Sequence, residues 1–268
     1  MLALPERAIV PDSIHHADLF GLCNALADAS VDMILCDLPY GVTACVWDSV
    51  IPMAPMWREF RRVIKPRGAI VLTASQPFTS ALVMSNPGMF KYDWVWNKTH
   101  SPHFLSATYR PLGTHESILV FAKSSTNYYP QMQTGPKKFN RSGSPDTCDR
   151  THTKFGINVV NLKRVENHKY YPKTSLNFSS VRRADMDHPT QKPVGLFEYL
   201  IKTYTQPGEV VFDPCVGSGT TAVAAMQTGR HYICGDFTRE YVDIARQRVQ
   251  NADPTQPTMV SEGVQQLN

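Results

Sequence analysis

The run Asp37-Leu38-Pro39-Tyr40 follows a short apolar stretch, Val31 to Cys36, that reads as a buried parallel strand. A carboxylate at the end of such a strand, followed by a backbone carbonyl and then an aromatic face, suits one kind of chemistry. An exocyclic amine that attacks a methyl sulfonium needs its lone pair freed from conjugation with its ring. Asp37 and the carbonyl of Leu38 can accept the two amine hydrogens and draw the nitrogen toward tetrahedral geometry. Pro39 completes the turn, and Tyr40 offers a face on which a base taken out of its stack can lie. Asp37 need not be a strong base, because the product's proton can leave to water after transfer. Read alone, the tetrapeptide is also an ordinary strand-to-loop turn.

A second constellation lies about 175 residues further on. Strand-like Glu209 to Phe212 leads into Asp213-Pro214-Cys215-Val216-Gly217-Ser218-Gly219-Thr220-Thr221, then a small-residue helix ending at Gly229, then a strand from His231 that closes on Asp236. This is the pattern of a nucleotide-binding βαβ unit. Gly217 and Gly219 allow a tight turn and close approach of backbone to a ligand, and Asp236 is placed to accept hydrogen bonds from two ribose hydroxyls. Gly217-x-Gly219-x-x-Ala222 also fits a loose dinucleotide fingerprint, and a glycine pattern alone does not separate the two. Asp213 argues against a dinucleotide, because it puts a carboxylate where a pyrophosphate needs open amides. A carboxylate there suits the ammonium of an amino-acid-bearing cofactor. A purely structural turn is the remaining alternative.

The elements around these sites alternate. Met53, Met56, Trp57, Phe60, Val63 and Ile64 recur at helical spacing until Lys65-Pro66-Arg67-Gly68 stops the helix. Ala69 to Ala74, Tyr92 to Trp96 and Ser117 to Ala122 read as strands. Pro193 fits the first turn of a helix carrying Leu196, Leu200, Ile201 and Tyr204, and Tyr241, Ile244, Ala245, Arg248 and Val249 mark a last amphipathic helix. Strands alternating with helices imply an α/β fold with a mostly parallel sheet. Between Ser124 and Asp187 the periodicity lapses, and that segment holds 11 Lys/Arg against 5 Asp/Glu, leaving 16 against 18 elsewhere. A basic segment with seven aromatics, inside a mildly acidic body, points to a polyanion-facing surface; a solvated lysine-rich loop is the plainer alternative. The expected organisation is a catalytic half over 1–123, an insertion over 124–187, a cofactor-binding half over 188–252, and a flexible tail over 253–268. The six cysteines lie far apart with no CxxC pair, so free thiols are expected and no metal cluster. With neither an apolar run of membrane-spanning length nor an apolar leader-like stretch, a cytoplasmic protein with no membrane partner is expected.

Taken together, the two constellations resemble the β group of amino-methyltransferases acting on DNA. In that group the catalytic tetrapeptide comes first, a target-recognition region follows, and the glycine motif comes last. Here the order is DLPYG at 37–41, the basic stretch, HPTQKP at 188–193 and FDPCVGSGTT at 212–221, so that the resemblance spans roughly residues 12 to 250. The SQPF run at 75–78 and Trp94-Val95-Trp96-Asn97-Lys98 also match. The resemblance implies a Rossmann-like methyltransferase fold with circularly permuted motif order and an inserted recognition region. It implies S-adenosyl-L-methionine as cofactor, held by Asp37, His188, Lys192, Pro193, Phe212, Asp213, Pro214, Cys215, Gly217, Gly219, Thr220, Thr221 and Asp236. The HPTQKP segment is expected to close over the cofactor's amino-acid end. Asp37, Leu38, Pro39 and Tyr40 are the expected catalytic set, and double-stranded DNA is the expected partner. Homodimers are common in the group, and no obligatory protein partner is evident. The group's commonest tetrapeptide has proline where this chain has Leu38, but only the backbone carbonyl is needed there. Aspartate at 37 points to adenine N6, since cytosine-N4 relatives more often carry serine. Cytosine N4 is the nearest alternative. Glutamine or RNA methylation is more remote, because such relatives place the cofactor motif first. A vestigial DNA-binding module is disfavoured by the intact Asp37, Tyr40, Asp213 and Asp236. Trp47, after the catalytic turn, is read either as a shield for the base or as core, and is left out of the site.

Overall fold

The computed structural model describes residues 9–41, 49–98, 107–140, 149–153, 156–160, 165–181 and 191–252. Strand β1 (Ser13–His16) and helix α1 (Leu19–Asn24) precede β2 (Val31–Cys36), α2 (Met53–Val63), β3 (Ile64–Ala74), α3 (Phe78–Ser85), β4 (Phe90–Asn97) and β5 (His115–Phe121). Four strands follow, β6 (Gln133–Asn140), β7 (Asp149–Thr153), β8 (Gly156–Val160) and β9 (Val165–Tyr170), then the short β10 (Ser175–Asn177). The chain continues through α4 (Val194–Tyr204), β11 (Val210–Asp213), α5 (Thr220–Gln227), β12 (His231–Asp236) and α6 (Arg239–Asn251).

Eight strands form one sheet in the order β1-β12-β11-β2-β3-β5-β4-β10. Only β5 runs against its neighbours, so that five of the seven pairings are parallel. The expected α/β fold with a mostly parallel sheet is therefore present. Side chains of β2 alternate across the sheet as the two-residue period requires. Met33 and Leu35 face a core that they share with Leu196, Leu200 and Ile201 of α4, Ala222 and Ala225 of α5, and Val242 and Ala245 of α6. Ile34 and Cys36 face the opposite core, with Leu22 of α1, Phe60 of α2 and Leu82 of α3. The first three helices thus cover one face and the last three the other. Burial on both faces explains why β2 reads as continuous rather than alternating hydrophobicity.

The helix expected to stop at Lys65-Pro66-Arg67-Gly68 ends earlier, at Val63, and β3 begins at once. Val31 pairs with Ile64 and Met33 with Ala69, so residues 65–68 bulge out of register. A Cβ at Gly68 would sit 2.7 Å from the Asp32 carbonyl oxygen, which requires glycine at that bulge.

Pro130–Lys173 forms its own compact unit; the remainder, Met1–Tyr129 with Thr174–Asn268, forms the other. Within the smaller unit β6 pairs antiparallel with β9, and β7 with β8. Strands occur, therefore, where the sequence reads as irregular. Sequences such as Asp149-Arg-Thr-His-Thr carry no apolar alternation, which hides a strand from a periodicity test. Ser175–Asn177, within the 124–187 segment, pairs with β4 in the main sheet.

Asp32, buried inside β2, ties the sheet together. Its Oδ2 accepts the Val210 N–H at 3.0 Å and its Oδ1 the Lys65 ammonium at 2.7 Å. Asp32→Ala leaves the Val210 N–H unpaired and should lower unfolding free energy by about 1–3 kcal/mol in urea titrations. An unchanged midpoint would mean that water replaces the carboxylate without cost.

Candidate active site

Strands β12, β11 and β2 lie side by side and parallel, so their carboxyl ends share one sheet edge. Asp236 closes β12, Asp213 closes β11, and Asp37 follows directly on β2. A crevice at such an edge is the usual ligand site of an open parallel sheet. A cavity of about 460 Å³ opens there, lined by all three aspartates and by Leu38, Pro39 and Tyr40. Its size is in the range of small-molecule and cofactor sites. Among the described residues its charged lining is Asp18, Asp37, Asp213 and Asp236 against Lys192 alone, which favours a cationic ligand.

Asp213 is 2% exposed; its Oδ1 accepts the Cys215 N–H at 3.0 Å and its Oδ2 the Thr221 hydroxyl. Burial raises its carboxyl to about pKa 7, against the pull of those hydrogen bonds. A cationic ligand group beside it would reverse that shift. Asp236 is also buried, and burial holds its carboxyl above the ordinary value. Its oxygens accept the Gly217 and Thr238 N–H groups at 3.1 and 2.9 Å, which fixes the carboxylate at the cavity wall. Gly217 turns through φ +49° and lines the cavity.

At the other end, three donors converge on Asp37. Tyr40 donates its hydroxyl to Oδ1 at 2.7 Å, Thr73 donates to the same oxygen, and the Lys192 ammonium donates to Oδ2. Burial, then the Asp37 and Glu116 carboxylates, hold the Tyr40 phenol well above its ordinary pKa, so it remains a donor. The Tyr40 ring stacks on Phe78, with centroids 5.1 Å apart and planes at 24°. Burial would lower the Lys192 pKa, but Asp37 and then Glu116 outweigh it and raise the ammonium above its usual value.

The structure gathers most of the expected residues at this cavity, namely Asp37, Leu38, Pro39, Tyr40, Lys192, Asp213, Pro214, Cys215, Gly217, Thr220, Thr221 and Asp236. Three lie elsewhere. Phe212 is fully buried in the core beneath the sheet, because the strand period turns it away from the neighbouring Asp213. Gly219, at φ +88°, is needed for close packing of helices, since a Cβ there would come 2.9 Å from Cα of Ala245 in α6. Pro193 caps α4 and does not line the cavity. His188 and Trp47 fall outside the described residues. The sequence reading missed Asp18, Leu19, Phe20, Phe237 and Tyr241, which also line the cavity. Asp18 shows in sequence only as a helix cap, its carboxylate accepting the Gly21 N–H at 2.7 Å. Pairing of β1 with β12 brings it to the site. Phe78 had a signal in the SQPF run, whereas Thr73 and Glu116 had none.

A family profile described as DNA methylase matches residues 31–247. This chain belongs to the DNA methylase family. The Type II methyltransferase M.HpaI of Haemophilus parainfluenzae is 26% identical over 239 residues, covering 84% of this chain and 69% of that enzyme. The crystal structure of an M1.HpyAVI–SAM complex superposes with a TM-score of 0.58 at 24% identity, covering 88% of this chain and 98% of that one. PvuII DNA methyltransferase, described as cytosine-N4-specific, gives a TM-score of 0.59 at 15% identity, covering 90% and 93%. These likenesses establish the Rossmann-like methyltransferase fold, and the family makes the chain a DNA methyltransferase. No helix among the described residues is long and apolar enough to cross a membrane. No metal-binding cluster of His, Cys, Asp or Glu occurs among them, and Cys23, Cys36, Cys215 and Cys234 are free thiols.

The methyltransferase should carry the cost of its buried Asp213 in its stability. With the folded pKa near 7 and the unfolded value at 3.8, the folded state retains a proton that the unfolded state releases. Stability from this group therefore falls as pH rises from 4 to 7 and is flat above. Relative to the wild type, Asp213→Asn should gain stability across that window, by up to about 4 kcal/mol. Parallel denaturation curves at pH 4, 7 and 8 check this, and a gap independent of pH would show that Asp213 ionises normally.

Proposed function

We propose that this methyltransferase moves a methyl group from S-adenosylmethionine to adenine N6 of a base flipped out of double-stranded DNA. The observation that carries the reading is the shared cavity. An aspartate with a tyrosine three residues on faces the same space as two buried acids at the ends of the next two strands. The donor set fits the cofactor, whose ammonium and sulfonium suit a lining with four aspartates and one lysine. When bound, the cofactor supplies an electrophilic methyl group. Asp213 takes the ammonium and Asp236 the ribose diol, while Gly217 keeps the backbone close.

Asp37 accepts one hydrogen of the target amine through Oδ2, whose remaining lone pair is left by the Lys192 contact. The Leu38 carbonyl accepts the other. The nitrogen lone pair would thereby be turned out of the ring plane and freed to act as a nucleophile. Aspartate rather than serine at 37 favours adenine. Analysis of nucleosides from DNA treated with the protein and labelled cofactor tests this: labelled N6-methyladenine supports the reading, and N4-methylcytosine replaces it. Asp37→Ala should cut single-turnover transfer by roughly 10²–10³-fold, with cofactor affinity within about tenfold of the parent. Near-normal turnover would take Asp37 out of the mechanism.

The basic unit supports a role in target recognition. Nine Lys/Arg stand against three acids between Pro130 and Lys173. Phosphate contacts set register and orientation, while base edges carry sequence. Replacing Lys137, Lys138 and Arg141 together should weaken binding to all sequences. It should flatten the salt dependence by about 0.9 for each phosphate that is no longer neutralised. Affinity measured against salt decides; an unchanged slope would move recognition to other cations, such as Lys163, Arg164, Arg182 and Arg183. Of these seven, Arg141, Lys163, Arg164, Arg182 and Arg183 lie outside the described residues.

A further inference from the structure

Beneath the tetrapeptide, four charged side chains alternate in sign. The Lys98 ammonium bonds Glu116 Oε1; Glu116 Oε2 lies 3.7 Å from the Lys192 ammonium; and Lys192 bonds Asp37 Oδ2. The side chains of Lys98, Glu116 and Lys192 are 15%, 13% and 7% exposed. Glu116 Oε2 is buried and has no hydrogen-bond partner among the described residues, so Lys192 is the cation it faces. The sheet builds this row. Glu116 on β5 pairs with Trp96 on β4, and Lys98 follows β4 with its N–H on the Thr114 carbonyl at 2.7 Å. Its ammonium also lies 5.0 Å from the Trp96 ring centroid, a further restraint on the stem.

We propose that Glu116 and Lys98 are positioning residues for methyl transfer: Lys98 braces Glu116, and Glu116 holds Lys192 where it grips Oδ2 of Asp37. The proposal rests on the reading of Asp37 as the acceptor of the target amine. Tyr40 and Thr73 both bind Oδ1, so they hold one end of the carboxylate only. Lys192 holds the other end and prevents rotation about the Cβ–Cγ bond. Lys192 reaches Asp37 on a flexible four-carbon stem, and its backbone is fixed where its carbonyl accepts the Thr220 hydroxyl at 3.3 Å. With Asp37 as its sole carboxylate, the ammonium could swing with it. A second carboxylate across from it removes that freedom, and transfer geometry tolerates little misplacement. Lys192 therefore belongs to the transfer end of the cavity rather than to the cofactor's amino-acid end.

A double-mutant cycle read by single-turnover transfer from labelled S-adenosylmethionine to DNA tests this. Glu116→Gln should slow transfer about tenfold while leaving cofactor and DNA affinities within about twofold. Introduced into Lys192→Met, the same substitution should change the rate by less than about twofold, because the residue through which it acts is gone. Lys98→Met should slow transfer in the same direction and lose its effect in the same background, which also serves if Glu116→Gln folds poorly. A full rate in both Glu116→Gln and Lys98→Met, or an equal loss with and without Lys192, overturns the proposal. Asp37→Ala separates the two levels. An active Asp37→Ala removes the reading of the transfer site, whereas an inactive one beside full rates in both Glu116→Gln and Lys98→Met removes the positioning role alone.

Discussion

The site depends on the register between β11 and β2, in which Val211 lies opposite Met33 and Phe212 opposite Ile34. These strands come from distant parts of the chain, and their parallel pairing puts Asp213 and Asp37 at one edge. A one-residue slip would turn every side chain of β11 to the opposite face. The buried Phe212 would then point away from its core, and Asp213 into it. The Asp32 carboxylate, holding the Val210 N–H, pins the start of the same strand pair. Hydrophobic burial on both faces and one buried hydrogen bond thus fix the distance between the two chemical groups.

That edge concentrates negative charge. Lys192 lies against Asp37, whereas Asp213 and Asp236 are held by neutral hydrogen-bond donors. Burying carboxylates this way disfavours their charged forms, which is why burial raises both Asp213 and Asp236. A cationic ligand beside them would relieve that penalty, so the buried carboxylates favour positive charge over neutral. At Asp37 the carboxylate is instead satisfied by tyrosine, threonine and lysine donors. The two ends of one cavity therefore treat the same side-chain type in opposite ways.

Local signals are legible in the sequence. Val31–Cys36, Val194–Tyr204 and the turn at Asp213 to Thr221 have the period, caps and glycines that single them out, and their chain order points to the family. What depends on sheet order is not legible. Asp18 looks like a helix cap until β1 is known to lie beside β12. Glu116 and Thr73 sit in strands with no motif, and reach Lys192 and Asp37 only because β3, β5 and β4 are adjacent. Gly219 carries a ligand-like signature but is explained by its contact with Ala245. For Phe212 the motif alone suggests the ligand, while the alternation of a strand already argues that it and Asp213 point opposite ways.

The chain leaves and re-enters the main unit at two pinned points. The Tyr129 N–H donates to the Thr203 carbonyl at 2.8 Å, and the Thr174 carbonyl accepts the Val95 N–H at 2.8 Å. Between them lie the residues of the smaller unit, Pro130–Lys173. Because loop-closure entropy grows only as the logarithm of length, the main unit is nearly indifferent to how long the intervening segment is. Among the described residues of that segment, none lines the cavity and none contributes to the two cores. Its sequence can therefore change while the β11–β2 register and the row of charges from Lys98 to Asp37 stay fixed. The separation has a physical basis in where the backbone is tied: both hydrogen bonds fall on residues of the main unit, on either side of the intervening segment.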